Sequence, residues 1–142
     1  MKESKSRILS LVMSLVLMLT TAFCLTACGG GTKTLESYVN DNDSIKKQIE
    51  SASQSDSTME MSIDIKDNDL IYVYKYKQTF EADAVAQMKT QFESYASSFE
   101  STFTNIAKSL EDETKISGIT VQIVYQNGDG SEIFKQSYTA KK

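Results

Sequence analysis

Eight apolar residues set the first constraint on what this chain can fold into. Val85, Met88, Phe92, Tyr95, Phe99, Phe103, Ile106 and Leu110 recur at spacings of three and four. At the ideal helical step they fall within an arc of about 80°. Gln87, Thr90, Ser94, Ser97, Ser101, Asn105 and Lys108 occupy the opposite side. The pattern predicts one amphipathic helix from about Ala82 to Asp112, with a narrow apolar stripe. Such a helix, roughly 45 Å long, needs an apolar surface to lie on. A coiled-coil partner is the alternative, but the successive four-residue steps Tyr95, Phe99, Phe103 depart from a heptad.

The flanking sequence supplies a sheet. Met59, Met61, Ile63 and Ile65 alternate with Glu60, Ser62, Asp64 and Lys66, the signature of a half-buried strand. Asp67 to Asp69 is turn chemistry, and Leu70 to Lys77 is a returning strand. A two-residue loop, the commonest kind, puts Leu70, Tyr72 and Tyr74 on the face of Ile63 and Ile65, and Ile71 and Val73 on the other. Ile119 to Gln126 and Ile133 to Thr139 form a second hairpin around Asn127 to Gly130, "NGDG". Its register is open. Upstream, Leu35, Tyr38, Val39, Ile45, Ile49 and Ala52 share a helical face behind a Thr34 N-cap. Asn40 to Ser44 has poor helix propensity, and whether it divides that helix is left open by the sequence. Ser51 to Ser57 reads as a polar linker. The expected fold is α+β: a four-stranded antiparallel sheet with helices on one face, in the order α-β-β-α-β-β, over residues 34–142. A chain of 142 residues has room for one such domain.

The N-terminus carries different information. "KESKSR" is basic, and Ile8 to Leu25 is largely apolar. That order reads as a secretory signal, and the run is borderline for a membrane span. "LTAC", Leu25, Thr26, Ala27 and Cys28, decides between them, because it resembles the lipobox of bacterial lipoproteins. The resemblance implies a diacylglycerol on the Cys28 sulfur, removal of residues 1–27, and fatty acylation of the new N-terminus. Cys24 is then an apolar residue of the signal. Two or more acyl chains hold a protein durably at a membrane. Gly29 to Lys33 completes the 28–33 tether, about 12 Å long as a random coil. Residues 28–142 carry 12 lysines against 18 acids, a net charge of −6. The lipid, not the protein surface, then supplies the affinity for an anionic membrane. The expected location is the outer face of the cytoplasmic membrane.

Little in the chain points to a reaction. There is no histidine to serve as a base, and lipid would block the Cys28 thiol. No G-x-S-x-G elbow occurs, and "CGGG" lacks the Lys-Ser/Thr of a phosphate loop. "NDNDS" and "DIKDND" lack the glycine and terminal glutamate of a calcium loop. The expectation is no metal and no cofactor. The acidic balance gives no footprint for nucleic acid. The function expected is a non-catalytic binding module for an envelope protein or polymer. A structural or assembly accessory of an envelope complex is the alternative, followed by an enzyme working through carboxylates such as Glu60 and Asp64. The candidate partner surface is Ile71, Val73 and Val124, the apolar residues expected on the outer face of the sheet.

Two stretches, Thr34 to Val39 ("TLESYV") and Tyr125 to Gly130 (Y-x-N-x-D-G), resemble a family of small lipoproteins of Gram-positive bacteria defined only as a domain of unknown function. The resemblance implies location and fold. It supplies no activity and no site residue.

Overall fold

The structure, a computed structural model, describes residues 34–141. The expected signal segment 1–27, the lipobox-like Leu25, Thr26, Ala27 and Cys28, and the expected tether 28–33 lie outside the described residues. Helix α1 (Leu35–Asn40) starts where expected: the Thr34 hydroxyl accepts the Ser37 N–H at 3.1 Å. The chain then breaks at Asp41–Asn42, where Asn42 is extended, before α2 (Asp43–Ala52). Leu35, Val39, Ile45 and Ile49 are the buried residues of the two pieces, so the apolar phase survives the break.

Strands β2 (Met59–Lys66) and β3 (Asp69–Tyr76) form the expected hairpin, with Lys66 opposite Asp69 across a two-residue loop. Asp67 takes the left-handed conformation there, at φ 52°. Leu70, Tyr72 and Tyr74 consequently point into the core.

The sheet itself corrects the expected four-stranded antiparallel arrangement. It has five strands in the order β1-β2-β3-β4-β5, and β3 pairs with β4 in parallel. The reason is α3 (Ala82–Thr114), which lies between them in the chain. A tight turn joins antiparallel neighbours, whereas a helical crossover returns the chain to the end at which the first strand began, so the next strand runs parallel. β4 (Thr120–Gln126) accordingly restarts beside Asp69. The extra strand, β1 (Gln54–Ser55), is two exposed polar residues inside the expected linker, antiparallel to β2. The Asp56 carboxylate holds its turn by accepting the Met59 and Thr58 N–H groups at 2.7 and 2.6 Å. Those bonds keep Asp56 below the ordinary aspartate pKa.

β5 (Glu132–Thr139) returns antiparallel to β4. In the turn, the Gly130 N–H reaches the Asn127 carbonyl at 2.9 Å, with Gly130 at φ 87°. A bulge then separates the pairs Gln126–Glu132 and Tyr125–Phe134. It lets the consecutive Ile133 and Phe134 both join the core.

α1, α2 and α3 all contribute to one core with the Tyr72 face of the sheet. α3 needs one correction. Tyr95 is 44% exposed, and Ala96 packs in its place. The small side chain at 96 lets the sheet close on the helix, where the Tyr138 hydroxyl donates to the Ala96 carbonyl at 3.1 Å.

Asparagines lock the two ends of the sheet. At one end, Asn68 Oδ1 accepts the Leu35 N–H at 3.0 Å, and Asn68 Nδ2 donates to the Ser117 carbonyl at 3.4 Å. The Asp67 carbonyl accepts the Glu36 N–H, and the Glu36 carboxylate accepts the Asp67 N–H, both at 2.8 Å. At the other end, Asn127 is 4% exposed. Its amide accepts the Phe80 N–H at 2.8 Å and donates to the Phe80 carbonyl at 2.9 Å. Gly128 lies so close to the 78–79 backbone that an added Cβ would stand 2.7 Å from Thr79 N.

Candidate functional site: the outer face of the sheet

With the helices packed on the Tyr72 face, the opposite face is built from alternate residues of β2, β3, β4 and β5. The registers place Ser62, Val73, Val124 and Lys135 in one row across the strands. Glu60, Lys75 and Gln126 form a second row, and Asp64, Ile71, Gln122 and Ser137 a third. The three residues expected as a partner surface are therefore brought together: Val73 pairs with Val124, and Ile71 lies one row away. Their side chains are only modestly exposed. Ile71 and Val73 are half-buried, and Val124 is 8% exposed. Lys135, Gln122 and Gln126 lie beside Val124, and the stems of such long side chains cover apolar surface.

The face is concave where β1 begins. Ser53, Gln54 and Ser55 form the rim of a groove of about 470 Å³ whose wall includes Glu60, Ser62, Asp64, Val73, Lys75 and Gln126. Next to it, Gln122 is held by donating to the Asp69 carboxylate at 2.9 Å. The groove offers hydroxyls, amides, one ammonium and two carboxylates around a small apolar floor. That set can hydrogen-bond and pack against an extended polar chain. A second hollow, about 370 Å³, lies between α3 and β5. The exposed pair Lys141–Glu100, at 2.8 Å, stands beside it.

Among the described residues, no three His, Cys, Asp or Glu side chains gather where they would hold a metal. No helix among them is long and apolar enough to cross a membrane. The alternation of β2 already placed Glu60, Ser62 and Asp64 outward. The rim at Ser53 to Ser55 carried no sequence signal, because a two-residue polar strand has no period.

No curated protein and no solved structure matches this chain. A family model described as a domain of unknown function, DUF4854, matches residues 35–138. That match covers every helix among the described residues and every strand there up to Tyr138, and it makes the chain a member of the DUF4854 family.

Proposed function

We propose that this protein is a bacterial lipoprotein, held by Cys28 on the outer face of the cytoplasmic membrane, that binds an extended envelope protein or polymer without catalysis. The observation that supports binding is the groove on the helix-free face of the sheet, polar at its rim and apolar at Val73. The support for anchoring is "LTAC" behind a basic and an apolar segment. Each part has its own test. Cys28→Ala should leave the precursor uncleaved and free of fatty acid; normal maturation would remove the anchor from the reading. For binding, a photo-crosslinking residue at Gln54 on the rim should capture a discrete envelope component in intact cells, and one at Ser97 on α3 should not. Adding Val73→Lys to the Gln54 probe should abolish the crosslink while preserving the fold. Equal capture at both positions, or an unchanged crosslink with Val73→Lys, would count against the groove.

A further inference from the structure

Resting on the lipid anchor proposed above, the structure also gives the domain an orientation. We infer that the end of the sheet bearing the Asp67–Asn68 turn and the 115–119 loop faces the lipid surface. The 127–131 turn then points away from it, and the groove, on the helix-free face of the sheet, opens to the side.

The argument begins with the first described residues. Thr34 caps α1, and Leu35 is fully buried. The Leu35 N–H is bonded to Asn68 Oδ1 and the Glu36 N–H to the Asp67 carbonyl. The chain therefore enters the domain at one fixed point, beside the β2–β3 turn. Asn68 also bonds Ser117, and its carbonyl accepts the Thr120 N–H at 3.0 Å. The Glu111 carboxylate accepts the Gly118 and Ile119 N–H groups at 2.7 and 3.0 Å, which ties the end of α3 to the same place.

Reach then decides which surface meets the lipid. From Cys28 to Thr34 the chain spans at most about 21 Å when fully extended. α3 has 33 residues and a length of roughly 50 Å. Lys75, in the wall of the groove, lies about 23 Å along β3 from Asn68. The anchored end must stay near the headgroups, and the far end can approach them only if the domain lies flat. Lying flat is opposed by charge: 12 lysines against 18 acids in residues 28–142 repel an anionic surface within a Debye length. The anchor and the repulsion together stand the domain on its Asp67–Asn68 end. The groove then opens laterally, in the half of the sheet farther from the membrane.

The test uses full-length protein matured in cells and reconstituted into phosphatidylglycerol vesicles that carry a headgroup nitroxide. A fluorophore is placed at Ser117→Cys or at Glu132→Cys, both exposed positions at opposite ends. Lys66→Cys and Lys77→Cys are a second such pair, should a variant of the first fail to fold. We expect several-fold stronger quenching at 117 than at 132, and at 66 than at 77. Vesicle-bound protein with equal or reversed quenching would overturn the orientation and leave the anchor standing. Matured protein that does not float with vesicles would overturn the anchor and the orientation with it.

Discussion

The two halves of α3 share one helical period and end in different environments. Between Phe103 and Leu110, five residues are buried: Phe103, Thr104, Ile106, Ala107 and Leu110. Before Phe103 none is, and Val85, Met88, Phe92, Ala96 and Phe99 only pack against the core's edge. The rings show the same contrast. Phe103, 1% exposed, meets Tyr72 at 6.1 Å, Tyr138 at 5.2 Å and Phe99 at 6.2 Å between centroids. Phe92 stacks on Tyr125 at 4.1 Å and leans on Phe134 at 5.7 Å, yet stays partly open to solvent. Length contributes to the difference. Eight-residue strands run about 26 Å and the helix about 50 Å, so the sheet cannot underlie all of it. Periodicity reports which side of a helix is apolar, and the length of the neighbouring surface decides how much of that side is covered.

Alkali should have the largest effect. Burial pushes the hydroxyls of Tyr72, Tyr74 and Tyr125 above the ordinary tyrosine pKa, with the neighbouring tyrosines adding to the shift for Tyr74 and Tyr125. The folded state therefore resists ionisation and the unfolded state does not. Stability is full below about pH 10 and falls above it by roughly 1.4 kcal/mol per pH unit for each buried tyrosine until its folded pKa is reached. Tyrosinate absorbance and ellipticity should change together. Absorbance that leads ellipticity would show that the Phe92 half opens first over Tyr74 and Tyr125.

Phe103→Ala should cost about 3–5 kcal/mol in chemical denaturation, through lost transfer energy and a cavity. Phe92→Ala should cost less, about 2 kcal/mol, because its ring is only partly withdrawn from water. Equal costs would break the contrast between the halves.

Tyr72→Phe should be neutral or stabilise the domain by about 1 kcal/mol. The Tyr72 hydroxyl is buried with no hydrogen-bond partner among the described residues, and removing such a group relieves its desolvation cost. A loss of more than about 1 kcal/mol would show that the hydroxyl is satisfied, for instance by a buried water. Smallest of all, Ser97→Ala on the exposed side of α3 should stay within about 0.5 kcal/mol of neutral. A larger change would show that the exposed side of the helix is in contact with something.

Much of this fold was legible because its signals are local. Alternation set the inward face of β2, loop length carried the phase to Tyr72 and Tyr74, and Thr34 marked the start of α1. The parallel joint between β3 and β4 left no trace in either strand, because which strands become neighbours is settled by packing α3. Tyr95 misled for a related reason. A hydropathy pattern favours the large residue, whereas close approach of Tyr138 favoured the small Ala96. Half of the candidate site was legible and half was not. Val73 and the outward residues of β2 follow from period two, while the rim depends on where the chain turns after α2.

Because β3 meets β4 only after α3 has brought the chain back, no contiguous segment contains a complete core. The β2–β3 hairpin can close within microseconds. The joint at the centre of the sheet unites segments far apart in sequence, and contacts of that kind slow folding. A single proteolytic cut within α3 would therefore do more than shorten a helix. It would turn an intramolecular closure into a bimolecular encounter and leave β3 with an open edge beside an uncovered apolar face, the form in which strands aggregate. For this domain, covalent continuity through α3 is itself a condition of solubility.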